Sequence, residues 1–190
     1  ALNGLGDVFA RQGRLADAEK ALAEALDLSG KSLGERHPIT MTIMNNLGEI
    51  LEKEGLYDQA EPILKKAYEL SWSALGEKHP TTMARFNNLA LLHESQGNFG
   101  KAEPLYKNAL SFFKNSLGAA HPDAIGVKNN LAYLYMLQNK FDLAEPLFSD
   151  VAGRWTEQFG EGHKKTLIGL NNLARVYHKV NKFEQAEALF

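Results

Sequence analysis

Apolar side chains recur along this chain at three- and four-residue spacing, in blocks separated by glycine or asparagine, which is the periodicity of amphipathic helices. Between residues 38 and 80 they are Leu47, Ile50 and Leu51, then Ala60, Leu64, Ala67 and Tyr68. The first block predicts a helix from about Pro38 to Glu54 and the second a helix from about Asp58 to Leu75. Pro38 suits a helix start, where its missing N–H is not needed. Pro62 falls near the first turn of the second helix, where it forfeits little hydrogen bonding. Gly55 ends the first helix and Gly76 the second. Gly13 and Gly97 take the place of Gly55 elsewhere, and then Asn139 and Asn181, since Asn is the next-best residue for a left-handed cap. Gly34, Gly118 and Gly160 take the place of Gly76.

The same pair of helices repeats. Asn45-Asn46-Leu47, Asn87-Asn88-Leu89, Asn129-Asn130-Leu131 and Asn171-Asn172-Leu173 are spaced 42 residues apart, and Asn3-Gly4-Leu5 falls one step earlier. His37-Pro38, His79-Pro80 and His121-Pro122 keep that step, followed by His163-Lys164. So do Ala60-Glu61-Pro62, Ala102-Glu103-Pro104 and Ala144-Glu145-Pro146, with Ala18-Glu19 and Ala186-Glu187 continuing the series without the proline. Three independent series in one register define repeats at about 1–37, 38–79, 80–121, 122–163 and 164–190, the first and last incomplete, in a single array over 1–190. Small residues mark a close helix crossing: Gly48, Ala90, Ala132 and Ala174 on the first helices, and Ala18, Ala60, Ala102, Ala144 and Ala186 on the second. A lone helix pair cannot bury both faces, so neighbouring repeats must stack.

Charge and composition narrow the function. With 21 basic and 23 acidic side chains the net charge is −2, which gives nucleic acid little to hold. No apolar run is long enough to cross a membrane. Cysteine is absent, which removes disulfides and thiolate metal sites and fits a cytoplasmic protein. The chain opens with Ala1-Leu2-Asn3-Gly4, already inside a helical pattern and without an initiator Met, so it reads as a fragment with no signal segment.

Leu47, Gly48, Leu51, Gly55, Tyr57, Ala60, Leu64 and Ala67 follow, in order, the pattern of tetratricopeptide repeats, which the chain resembles throughout. The 42-residue step, longer than the usual ~34, together with Asn-Asn-Leu-Ala, Ala-Glu-Pro-Leu and Leu-Gly-x-x-His-Pro, is similar to the repeats of kinesin light chains and their relatives. The resemblance implies an all-α fold, a right-handed α-solenoid of tandem antiparallel helix pairs, with the first helices lining the concave side of the superhelix. It implies a scaffold that binds a protein or peptide segment, in the manner of a cargo adaptor.

Few residues invite chemistry. His37, His79, His121 and His163 stand one per repeat, about 10 Å or more apart in a stacked array. Zinc–nitrogen bonds are about 2.0–2.1 Å, so these histidines cannot share an ion, and helix capping is the better role. His93 begins a zinc-protease-like motif but lacks its second histidine, and it occupies the core register of Leu51, Tyr135 and Tyr177. Gly4-Leu5-Gly6 has no preceding strand and no third glycine. Acidic pairs such as Glu49/Glu52 read as solvated charge. No catalytic residue, metal or cofactor is expected.

By the resemblance, the first asparagine of each pair faces the groove: Asn3, Asn45, Asn87, Asn129 and Asn171. An amide offers donors and an acceptor to the backbone of an extended peptide. A ladder with ~10 Å rungs meets about every third residue at ~3.3 Å per residue. The alternative is that these amides tie one repeat to the next, the role expected of the second asparagine, Asn46, Asn88, Asn130 and Asn172. One turn along lie Asp7, Glu49, Leu91, Tyr133 and Arg175, a varying row suited to specificity, flanked by Thr42, Ala84, Gly126 and Ile168. Net charge also varies, −3 over 39–80 and +2 over 81–122. The lysines and arginines of carboxylate-clamping relatives are replaced by Asn, Thr, Ala and Gly. Glu52 and Glu94, on the next turn, argue against the acidic ligands that the resemblance implies. The expected partner is thus a protein or peptide, with no nucleic acid or membrane, and the domain monomeric. The alternative is self-association through apolar repeat ends such as Leu189 and Phe190.

Overall fold

The computed structural model describes residues 2–189, so Phe190, one of the two residues expected at an apolar repeat end, lies outside the described residues. Two compact units are present, residues 1–98 and 99–190. The first contains α1 (Leu2–Arg11), α2 (Leu15–Leu33), α3 (Pro38–Lys53), α4 (Tyr57–Leu75) and α5 (Pro80–Ser95). The second contains α6 (Phe99–Leu117), α7 (Pro122–Leu137), α8 (Phe141–Phe159), α9 (Lys164–Lys179) and α10 (Phe183–Glu187). Within each unit every helix packs on the next along the chain. Among the described residues there is no strand.

Local chemistry sets the helix ends. His37, His79, His121 and His163 are N-caps, each ring Nδ1 accepting the backbone N–H two residues on at 3.2 Å. That bond requires an unprotonated Nδ1, which places the ring proton on Nε2. At the other end of α3, Gly55 has φ +76°. The Leu56 amide returns to the Leu51 carbonyl at 2.8 Å and the Gly55 amide to Glu52 at 3.0 Å, a Schellman closure. Asn139 and Asn181 make the same left-handed turn at φ 59° and 61°. Pro62, Pro104 and Pro146 lie inside α4, α6 and α8, slightly deeper than a first-turn position.

Tight packing follows the small residues. A Cβ on Gly48 would stand 2.5 Å from Leu64 Cγ, and one on Gly6 2.7 Å from Leu22 Cγ. Ala132 holds the register of Gly48 in the second unit and is fully buried, as is Phe148 at the register of Leu64. A second register trades volume in the same way. Ser71 and Arg85 meet in the first unit, whereas the corresponding positions in the second hold Trp155 and Gly169, where a Cβ on the glycine would be 3.0 Å from the indole.

Candidate functional site

The paired asparagines form side-chain rungs between successive first helices. In the first unit Asn46 Nδ2 donates to Asn3 Oδ1 at 3.0 Å, and Asn88 Nδ2 donates to Asn45 Oδ1 at 3.0 Å. In the second unit Asn172 Nδ2 donates to Asn129 Oδ1 at 3.3 Å. First asparagines (Asn3, Asn45, Asn129) as well as second ones (Asn46, Asn88, Asn172) therefore carry inter-repeat bonds. The oxygens of Asn45 and Asn129 are engaged within the array, and Asn45 also gives one N–H to Glu49, so what these amides can offer outward is the second N–H of Asn45 and the N–H groups of Asn129. Asn87 is half-buried and Asn171 exposed.

Glu49 is the hub of the first-unit ladder. It accepts from Asn45 Nδ2 at 2.7 Å and from Asn88 Nδ2 at 2.6 Å. Burial pushes its carboxyl above the usual carboxylate range, against the opposing pull of the Asn45 bond and the Lys53 charge. The expectation of solvated charge at Glu49/Glu52 is thus corrected at Glu49, because the neighbouring repeat's amide covers it. Glu52, half-buried, takes the hydroxyl of Ser95.

The rest of the varying row is placed as follows. Asp7 is ion-paired to Arg11 at 2.8 Å on the surface of α1. Leu91 is half-buried on α5. In the second unit Arg175 lies over the Tyr133 ring, 6.0 Å from its centroid, a separation at the edge of cation–π range. The structure brings together Asn45 with Glu49 and Tyr133 with Arg175. Of the flanking residues, Thr42, Ala84 and Ile168 are exposed and Gly126 half-buried.

Sequence reasoning missed Arg85. It is 4% exposed, donates to Ser71 Oγ and to Thr42 Oγ1 (3.4 Å), and touches Met41 Sδ. All three partners are neutral, and burial lowers its pKa from the usual arginine value. The signal was available: the same register holds Ile43, Val127 and Gly169, so a cation there is out of pattern. A second missed pair is Glu19 and Glu54. Burial and the neighbouring Glu19 raise the Glu54 carboxyl above its ordinary range. One repeat later Gln96 Nε2 donates to Glu61 at 3.3 Å instead.

Among the described residues no group of three His, Asp or Glu is arranged to hold a metal, and no helix is long and apolar enough to cross a membrane.

Comparison with known proteins agrees with this geometry. No curated protein sequence matches the chain. Among solved structures it is similar to a Podosopora anserina protein with nearly identical TPR-like repeats of kinesin light chain type (21% identity, TM-score 0.78, covering 99% of this chain and 89% of that one). It is also similar to BtubC (BKLC) from P. vanneervenii (24%, TM-score 0.80, covering 99% and 75%). A Rap protein complexed with competence and sporulation factor shares the fold as well (17%, TM-score 0.70, covering 99% and 60%). These likenesses place the fold as an all-α array of tetratricopeptide helix pairs. The family model for the tetratricopeptide repeat matches residues 1–71, 40–115 and 123–190. The chain therefore belongs to the tetratricopeptide repeat family, whose members serve as protein-interaction scaffolds.

Proposed function

We propose that the chain is a cytoplasmic adaptor that holds an extended peptide along its first helices and performs no catalysis. The observation that carries this reading is the division of labour in the asparagine rungs. The oxygens of Asn45 and Asn129 bind the array, and the N–H groups of Asn129 and the second N–H of Asn45 are assigned to ligand carbonyls, with Asn87 and Asn171 at the same register along the ladder. Such contacts are indifferent to ligand sequence. Selectivity falls to Glu49, Leu91, Tyr133 and Arg175, whose chemistry changes from repeat to repeat on a constant frame. The Rap structure, which holds competence and sporulation factor, supports the reading by analogy of fold.

The test is a substitution that separates the two halves of one amide. Asn129→Asp keeps an oxygen for Asn172 but removes the N–H group. Binding of a peptide selected from a displayed library should fall about three- to tenfold, as loss of a hydrogen bond worth ~0.5–1.5 kcal/mol predicts, with the melting temperature close to the parent's. Unchanged affinity in the folded variant would remove Asn129 from the site.

A second reading is self-association. Leu5 and Val8 on α1 are 42% and 47% exposed, whereas Leu47 and Ile50 at the same register are 5% and 4%. Light scattering at high concentration decides it: a monomer unaffected by Leu5→Glu leaves that face without a partner copy.

A further inference from the structure

We infer a small-molecule site on the first unit, in the cleft between α2 and α4. The cleft encloses about 510 Å³, within the ~300–1,000 Å³ typical of small-ligand pockets. Its floor is Met44 of α3, with Leu26 on one wall and Pro62 and Ile63 on the other. None of the residues proposed to meet a peptide lines it, so this site is independent of that reading.

Two departures from the repeat open the cleft. Gly30 lines it, and a Cβ built there meets nothing within 4 Å. The equivalent residues are Trp72, Lys114 and Thr156. Met44 and Lys66 are the second departure. In the second unit their counterparts Lys128 and Asp150 form an ion pair. In the first unit Lys66 turns instead to Glu35 at 2.6 Å.

The lining defines the ligand. The floor is apolar, and a methionine there adapts to irregular shapes. Every charge at the rim is matched, Lys31 to Asp27 at 2.7 Å and Lys66 to Glu35, so the mouth favours no ion. Thr40 borders the cleft, fully buried, and its hydroxyl has no hydrogen-bond partner. Thr82, one repeat on, likewise lacks a partner but does not line the cleft, whereas Thr166 at the same register in the second unit reaches the Trp155 and Gly160 carbonyls at 3.0 and 2.8 Å. The occupant is thus a neutral, mainly hydrocarbon or aromatic molecule, with one hydroxyl or carbonyl that partners Thr40. An isolated buried hydroxyl gains from such a partner.

The probe is 2-naphthol, titrated into the full chain with methyl NMR on the methionines. Saturable shifts centred on Met44 are expected. Gly30→Leu should weaken binding at least tenfold by filling the cleft, without lowering the melting temperature, since leucine is the better helix former. Gly153→Leu, on α8 where a Cβ also meets open space, should leave binding unchanged. Thr40→Val should weaken it about three- to tenfold, matching the loss of one hydrogen bond. 2-Naphthalenesulfonate should bind poorly. Absence of saturable Met44 shifts, or full binding by Gly30→Leu, overturns the site. Equal binding of the sulfonate overturns its neutrality, and full binding by Thr40→Val overturns the polar contact.

Discussion

Asn88 on α5 donates its side-chain amide to Asn45 on α3 at 3.0 Å and to Glu49 at 2.6 Å, so one amide joins two repeats through two acceptors. These half-buried groups rely on their partners, because water reaches them only in part and does not freely replace a lost bond. Asn88→Ala should therefore lower stability by about 1–3 kcal/mol in urea unfolding. Asn88→Asp should be worse, since it sets a carboxylate against two acceptors. Equal effects of the two substitutions would show that the rung does not depend on its N–H donor.

A second prediction concerns the helix crossing. Gly48 sits under Leu64 with no room for a Cβ, whereas Ala132 and Phe148 hold the same two places in the other unit. The γ-branch of leucine occupies the space that a flat ring leaves free. Gly48→Ala gains about 1 kcal/mol of helix propensity, yet overpacking of about 1–3 kcal/mol should make it net destabilising. Adding Leu64→Phe should restore much of the loss. A double-mutant cycle measures this coupling, expected at about 1 kcal/mol or more; a value near zero would mean the two sites do not share that space.

These two cases also mark what the sequence reveals. The helix pairs were legible because their caps are local. His37, Gly55 and Asn139 announce helix ends through their own backbone and side-chain chemistry, and the 42-residue step repeats that signal. The inter-repeat role of the second asparagine was expected from the family resemblance and not from local chemistry, since its partner lies 43 residues away on the preceding repeat. The burial of Glu49 was not, because it depends on Asn88 from the next helix pair, and helical periodicity reports only a residue's own face. The engagement of the first asparagine's oxygen depends on that same neighbour. Arg85 stood out of register but its consequence required knowing that Ser71 makes room for it. Gly30 and Met44 break the repeat pattern in the sequence, but that they line one cleft with Pro62 and Ile63 depends on the packing of α2, α3 and α4, which periodicity does not report.

Arg85 yields the third prediction. A buried guanidinium with only neutral partners retains a desolvation penalty that no carboxylate offsets. Arg85→Ile, which restores the residue type of Ile43 at that register, should raise the unfolding free energy by about 1 kcal/mol or more. Calorimetric melting checks this. A lower melting temperature would mean that the bonds to Ser71 and Thr42 outweigh the cost of burying the charge.

The Glu19–Glu54 pair yields the last. Burial, then the Glu19 charge, raise the Glu54 carboxyl above its ordinary range in the folded chain. In the unfolded chain it titrates near the usual glutamate value of ~4.3. The folded state thus binds the proton more tightly, so this group adds stability as pH falls through its raised folded value, and the gain is complete once pH drops below ~4.3. At pH well above the raised folded value of Glu54 the contribution is absent. Glu54→Gln should imitate the Gln96–Glu61 bond and raise the neutral-pH stability by about 0.5–1.5 kcal/mol. Comparing melting temperatures of the parent and Glu54→Gln from pH 4 to 7.5 isolates this group from the other carboxyls. The advantage of the variant should be greatest at the neutral end and shrink steadily on acidification. A difference that stays constant with pH would show that Glu54 does not hold its proton more tightly in the folded chain.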